Sequence, residues 1–298
     1  MDETQRLADR FEEHRAHLRA VAYRMLGSLA EAEDAVQDTW LRLSGAGVDE
    51  VENLGGWLTT ITARVCLNML RSRNQRREES LEVLLPDPVV SLDGELQPEQ
   101  EALLADSVGL ALLVVLDTLA PAERLAFVLH DMFDLPFEQI APMIGRTPAA
   151  TRQLASRARR RVKGADIQAD PDLARQREVV DAFFTAARGG DFDALVTVLD
   201  PGVVLRIDAG ARRPAASMVI RGAGEVASQA LTGLTTALRV ARLRPALVNG
   251  AAGVIVTVRG RPVTVMGFVV TGGKIAEIDA IADPERLGII TAAVRIEE

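Results

Sequence analysis

The stretch Phe137-Glu-Gln-Ile-Ala-Pro-Met-Ile-Gly-Arg-Thr-Pro-Ala-Ala-Thr-Arg-Gln-Leu-Ala-Ser-Arg-Ala-Arg-Arg-Arg-Val162 decides how the rest of the chain is read. Phe137, Ile140, Ala141 and Ile144 recur at helical spacing and stripe one short helix, and Gly145 supplies the turn that ends it. Thr147-Pro148 opens a second helix, because threonine caps free amides and proline fits the first helical position. In that helix Ala150, Leu154, Ala158 and Val162 are predicted to face inward. Ala149, Gln153, Ser156 and Arg160 fall on the opposite face at i, i+4, i+7 and i+11, flanked by Arg152 and Arg157. A helix-turn-helix needs this arrangement: apolar residues lock two helices at a fixed angle, while Arg and Gln reach base edges and phosphates. An ordinary helical hairpin with a basic solvent face accounts for the charges, but not for cap, turn and basic face coinciding.

The charge distribution extends this reading upstream. Net charge is −8, which by itself argues against a nucleic-acid partner. Yet residues 53–77 hold no acid, while Arg64, Arg71, Arg73, Arg76 and Arg77 are basic. Residues 139–165 again hold no acid and seven basic residues, and residues 78–123 carry only acidic charge. Phosphate affinity follows such local patches rather than the total. From Trp57 to Arg73 the pattern is helical, with Thr60, Arg64, Asn68 and Arg71 on the outer face at i, i+4, i+8 and i+11. That mix of cation, amide and hydroxyl suits the unstacked bases and backbone of a single strand. The helix before it turns Ala32, Ala35, Val36, Thr39 and Leu43 inward and presents Asp34, Gln37, Asp38 and Leu41 at i, i+3, i+4 and i+7. An acidic face cannot sit on DNA, so it is either solvated or docks a protein, and spacing alone favours the solvated reading.

Length and composition set the outer bounds. The 298 residues, 48% of them apolar, accommodate two or three domains with sizeable cores. No apolar run reaches the ~20 residues that span a bilayer, and the N-terminus lacks a signal-peptide pattern. The expectation is a soluble, cytoplasmic chain with no membrane partner. Cys66 is the only cysteine and His14, His17 and His130 the only histidines, so neither a disulfide nor a metal site is expected, and no cofactor is implied. The organisation predicted is a helical module over 4–77, an acidic linker over 78–109 containing Pro86-Asp87-Pro88, and a second helical module over 110–165. After a boundary at 166–171, the texture changes. Helices at 172–188 and 191–199 precede strands at 203–207, 218–220, 238–248, 253–258, 263–270 and 275–281, with another helix at 224–230. Asn249-Gly250, Arg259-Gly260 and Gly272-Gly273 are hairpin turn signals. Residues 172–298 are therefore expected to form an α+β domain, helices packed on one curved, mostly antiparallel sheet.

A family resemblance joins these pieces. Asp34-Ala-Val-Gln-Asp-Thr-Trp-Leu-Arg-Leu43 and Trp57-Leu-Thr-Thr-Ile-Thr-Ala-Arg-Val-Cys-Leu-Asn-Met-Leu-Arg71 resemble region two of the extracytoplasmic-function (ECF) sigma factors. Phe137-Glu-Gln-Ile-Ala141 and 147–161 resemble their region four. The resemblance implies that Asp34, Gln37, Asp38 and Leu41 contact core RNA polymerase. It implies that Thr60, Arg64, Asn68, Arg71 and Arg73 read the −10 element of promoter DNA. It assigns the −35 element to Thr147, Arg152, Gln153, Ser156, Arg157 and Arg160. Asn68 stands where many relatives have an acid. The C-terminal part resembles the SnoaL-like fold, a cone of curved sheet and helices that a SigJ-type subgroup carries. Leu84-Leu-Pro-Asp-Pro88 resembles that subgroup's Trp-Leu-Pro-Glu-Pro linker, Asp208-Ala-Gly-Ala-Arg212 its Asp-Gly-Gly-Gly-Arg/Lys loop, and Asp283-Pro-Glu-Arg-Leu287 its Asn-Pro-Asp-Lys-Leu tail. The two alanines in the loop are expected to shift its backbone, since alanine resists the positive φ that glycine allows.

Relatives of the SnoaL-like fold use a pocket Asp with His or Tyr for proton transfer. Here no histidine follows His130 and the only tyrosine is Tyr23, leaving Asp208, Asp279 and Asp283 as bases. The expectation is a non-enzymatic domain that regulates the sigma modules in cis through Pro86, Asp87, Pro88, Asp208, Gly210 and Arg212. Two alternatives stay open: a helix-turn-helix regulator that works without polymerase, and a bifunctional protein whose cone holds a small ligand.

Overall fold

The structure is a computed structural model and describes residues 3–45, 53–77, 84–92, 103, 109–164, 169–237, 240–292 and 294. Most of the 78–109 linker and residues 165–168 and 238–239 lie outside the described residues. The chain divides into two compact units, one comprising Met1–Leu81, Pro98–Val108 and Leu112–Asp166, the other Glu82–Gln97, Gly109–Ala111 and Ile167–Glu298. The two helical modules, expected as separate domains, thus share one unit. Part of the linker belongs to the other.

In the first unit α1 (Glu3–Leu26), α2 (Leu29–Gly45) and α3 (Leu54–Arg77) pack around Phe11, Leu18, Val36, Leu43, Leu54 and Leu58. The α2 stripe Ala32, Ala35, Val36, Thr39 and Leu43 buries as expected, because residues three and four apart share a helix face. At the centre the Thr39 and Thr62 hydroxyls hydrogen-bond across α2 and α3 at 3.0 Å. A short α4 (Leu110–Asp117) leads to α5 (Pro121–Phe127), a π-helical turn (Val128–Met132), α6 (Phe137–Ile144) and α7 (Pro148–Gly164). Gly145 ends α6 with φ +64, the left-handed conformation that a Cβ opposes. The Ala150 amide donates to the Thr147 hydroxyl at 3.2 Å, so the predicted cap is present. One correction concerns phase: α7 buries Thr151, Ala155 and Ala158, while Ala150 and Leu154 are only half-buried. Thr151 takes this place because its hydroxyl bonds back to the Thr147 carbonyl at 3.0 Å, which satisfies the polar atom inside the helix pair.

What joins the modules is a set of buried cations. Arg124 of α5 donates to the Arg24 carbonyl at 3.2 Å and to Asp117 at 3.0 Å. Arg24 lies over the Phe133 ring at 4.8 Å, and Arg73 reaches Asp117 at 2.6 Å. A buried guanidinium is tolerated when acceptors and ring faces replace its water.

In the second unit α8 (Leu173–Gly189), α9 (Phe192–Val198) and α10 (Ala223–Ala237) pack on a seven-stranded sheet. Its strands are β1 (Val90–Ser91), β2 (Leu199–Asp208), β3 (Met218–Arg221), β4 (Ala241–Val248), β5 (Ala251–Val258), β6 (Arg261–Thr271) and β7 (Lys274–Ile281), in the order β1-β4-β5-β6-β7-β2-β3. Only β2 and β7 pair parallel; α11 (Pro284–Ile290) follows β7. Asn249-Gly250, Arg259-Gly260 and Gly272-Gly273 all have positive φ at both positions, as tight hairpins require. Asp172 and Asp191 cap α8 and α9 by accepting backbone amides. Phe183, Phe184 and Phe268 meet edge to face, 5.3–5.9 Å between centroids, at the core.

The linker is more than a tether. Residues 85–91 are buried, and β1 inside it adds to the sheet edge by antiparallel pairing with β4, Val90 opposite Val248. The Val89 amide donates to the Asn249 side chain at 2.7 Å, and the Asn249 amide returns to the Val89 carbonyl at 2.8 Å. Proline and acid content masked this strand in the sequence. Its two residues pair only because β4 offers a free edge.

Candidate nucleic-acid interface

Five of the predicted residues meet at one place on the helical unit. Asp34, Gln37, Asp38 and Leu41 of α2 line a cleft of about 380 Å3 together with Arg42 and with Val65, Asn68 and Met69 of α3. Leu41 is 60% exposed. Asp38 pairs with Arg42 at 3.1 Å, one helical turn on. A polar rim around an exposed aliphatic side chain is what a docking surface needs. Asn68, expected among the −10 residues, opens into this cleft. Thr60, Arg64 and Arg71 follow the rest of the α3 surface; Arg64 and Arg71 are exposed, while the Thr60 hydroxyl is engaged with the Gly56 carbonyl at 2.9 Å. Arg73 departs furthest from the expectation. Its guanidinium bonds the Leu26 carbonyl at 3.1 Å, Glu31 at 3.3 Å and Asp117 at 2.6 Å, and only 18% of its side chain is exposed.

On α7 the candidates divide similarly. Gln153, Ser156 and Arg160 are exposed along one face. Arg152 lies over the Phe137 ring at 5.3 Å, which braces the two helices of the motif. Arg157 donates to Glu123 at 3.0 Å, and Arg161 reaches the other oxygen of the same carboxylate at 2.8 Å. Glu123, which sequence reading passed over, is buried on α5 and holds both arginines from beneath. Thr147 uses its hydroxyl for the cap already described.

The predicted interdomain residues converge within the second unit. Asp208, fully buried at the end of β2, accepts from the Leu85 amide at 2.8 Å, from the Gly210 amide at 3.0 Å and from Arg286. Arg286 also donates to Asp87 at 2.7 Å and to the Leu85 carbonyl. One guanidinium thus clamps Asp87, flanked by Pro86 and Pro88, onto Asp208. Burial works against the charged form of Arg286, but Asp87 and Asp208 outweigh it and raise its pKa above the ordinary value. Gly210 has φ +78, and a Cβ there would lie 2.2 Å from the Asp283 carboxylate. Ala209 and Ala211 keep negative φ, which alanine tolerates, and Gly210 alone in the loop takes the left-handed conformation. Arg212 corrects the sequence reading. It is largely exposed and, among the described residues, pairs with exposed Glu285, whereas Arg286 stands at the clamp. The tail motif contains Arg286, but its position there marks no contact; the contact exists only because α11 returns beside the end of β2.

Residues 10–77 match the family model for Sigma-70 region 2, and residues 109–162 that for Sigma-70, region 4. The probable ECF RNA polymerase sigma factor SigI of Mycobacterium tuberculosis is 37% identical over 279 residues, 94% of this chain and 94% of that protein. The chain belongs to the ECF RNA polymerase sigma factors. ECF RNA polymerase sigma factor SigJ of the same organism is 37% identical over 293 residues, 93% of this chain and 91% of that protein. The crystal structure of SigJ matches with a TM-score of 0.74 at 33% identity, covering 97% of this chain and all of that one. The match therefore takes in the sigma regions and the α+β unit together. In this sigma factor the α2–α3 cleft falls in region 2 and the helix-turn-helix in region 4.

Proposed function

We propose that this sigma factor binds core RNA polymerase through the Asp34, Gln37, Asp38 and Leu41 face and directs initiation at promoters read by α3 and α7. On α3, Arg64 and Arg71 contact the −10 strand. On α7, Gln153 reads bases while Ser156 and Arg160 hold the −35 backbone. Arg73, Arg152 and Arg157 position these surfaces rather than touch DNA first. The C-terminal unit acts in cis, through its grip on residues 85–91, and contributes no chemistry of its own. The observation that carries this regulatory reading is the clamp: Arg286 ties Asp87 and the Leu85 carbonyl, 199 and 201 residues away, to Asp208, 78 residues away. A grip on the segment that connects two DNA-reading regions biases them by as much as that grip differs between their states.

Reconstituted transcription with core enzyme tests both parts. Asp38→Arg should abolish co-purification with core and all promoter-dependent transcripts; a variant that still regulates DNA without polymerase would favour the helix-turn-helix regulator instead. Arg286→Met should change transcript yield at unchanged core affinity. Unaltered yield from Arg286→Met and Asp208→Asn would sink regulation in cis.

A further inference from the structure

Inside the C-terminal unit, between α8, α10 and the sheet, lies a cavity of about 230 Å3. Phe183, Val226, Val256, Met266 and Ile278 form its deep wall. Five positions facing the space carry small residues: Ala230, Gly233, Ala241, Ala280 and Ala282. Larger side chains there would fill it. Protein interiors otherwise pack to the density of organic crystals, and an apolar void forfeits contacts on every side. None of the lining residues is ionisable, and only Gln229 and Thr264 are polar. The Thr264 hydroxyl donates to the Val263 carbonyl at 2.7 Å and can only accept from a guest, whereas the Gln229 amide can both donate and accept and is the fuller polar handle. A charged guest would shed its water and find no partner, and nothing in the lining can move a proton. Since a cavity of roughly 150 Å3 accommodates benzene, this one suits a guest of about ten heavy atoms.

The cavity also shares a wall with the clamp. Along β2 successive side chains alternate, so Ile207 lines the cavity while Asp208 enters the clamp. Across the pair, the Ala282 amide donates to the Asp208 carbonyl at 2.7 Å, and Ala282 lines the cavity too. A guest packed against Ile207 and Ala282 stabilises the strand end that presents Asp208.

We propose that this cavity binds an uncharged, mainly apolar small molecule bearing one hydrogen-bonding group for Gln229, and that its occupancy tightens the grip on residues 85–91. The second half rests on the regulatory reading above; the first does not. Full-length protein is titrated with 2-naphthol, naphthalene, indole, cyclohexanone and 1-octanol, with 2-naphthoate as the charged counterpart of the first. Binding is followed by protein-observed NMR, and hydrogen exchange is read at the Leu85 and Val89 amides. At least one neutral probe should bind saturably at one site, with 2-naphthoate about tenfold weaker or worse. Gln229→Leu should weaken 2-naphthol but leave naphthalene unchanged. Ala280→Leu should abolish binding; should it fail to fold, Ala282→Leu at the rim replaces it. Absence of saturable binding by every neutral probe, equal binding of 2-naphthoate, or full binding in the filled variant would overturn the site. Saturable binding without slower exchange at Leu85 and Val89 overturns the coupling, and leaves both the site and the clamp standing.

Discussion

Single residues in the clamp carry stakes out of proportion to their size. Replacing Arg286 by methionine leaves Asp87 and Asp208 buried without their cation, and removing one partner of such a group costs about 3–5 kcal/mol. Chemical denaturation of Arg286→Met should show a loss on that scale in the C-terminal unit, whereas Arg212→Met, at an exposed pair, should be close to neutral. Gly210→Ala forces a Cβ into positive φ and against Asp283, so it should destabilise by about 1–3 kcal/mol. Ala211→Gly should not stabilise. On β7, across the sheet from the cavity, burial pushes the Asp279 carboxyl up to about 6, against the pull of Arg206 at 2.9 Å and with the help of neighbouring Glu277. The folded state therefore keeps this proton longer than the unfolded chain does. The stability it lends is full below about 3.8 and disappears as pH rises through about 6. Asp279→Asn should gain on the parent between about pH 4 and pH 7, by at most about 3 kcal/mol. A melting-temperature difference that stays flat over that interval would refute the assignment.

At the scale of elements, α7 and α2 show how a helix face is divided between fold and function. Two of the arginines on α7 are anchored to Glu123, while Gln153, Ser156 and Arg160 remain outside. Arg160→Ala should lower promoter affinity uniformly and reduce the slope of log K against log salt by about 1. Gln153→Ala should instead relax sequence preference at one −35 position, by about 1–3 kcal/mol of discrimination. Competition binding across single-base promoter variants separates the two outcomes. The buried stripe of α2 and the capped helix-turn-helix were legible because helical periodicity is a local property. The one-residue change of phase on α7 was not, since Thr151 looks polar until its hydroxyl is seen bonded within its own helix.

At the scale of the molecule, contacts distant in sequence organise the chain. The Leu85 and Val89 amides donate to side chains 123 and 160 residues away. Their exchange should be slow in the intact protein, and Asp208→Asn with Asn249→Ala should speed it by about one to two orders of magnitude, in line with one or two lost hydrogen bonds. Unchanged protection would mean that β1 is held by something else. The acidic balance of the chain is likewise a matter of arrangement: the net charge is −8, yet cations are concentrated on α3 and α7, and local patches govern phosphate affinity more than a total does.

The sequence by itself determined the helix-turn-helix, the acidic face of α2, the order of the modules and the hairpins of the α+β unit. Each of these depends on residues within a few positions of one another, on a helical or alternating period or a turn pair. Only the tertiary structure decided which cations are spent on the fold. Arg73 and Arg157 have the same charge as Arg64 and Arg160, and what separates them is Asp117 and Glu123, brought beside them by other helices. It also decided that residues 85–91 belong to the C-terminal unit and that Arg286, not Arg212, closes the clamp. Pairing at a sheet edge and the burial of a charge depend on which partner arrives. Spacing along the chain carries no record of that arrival.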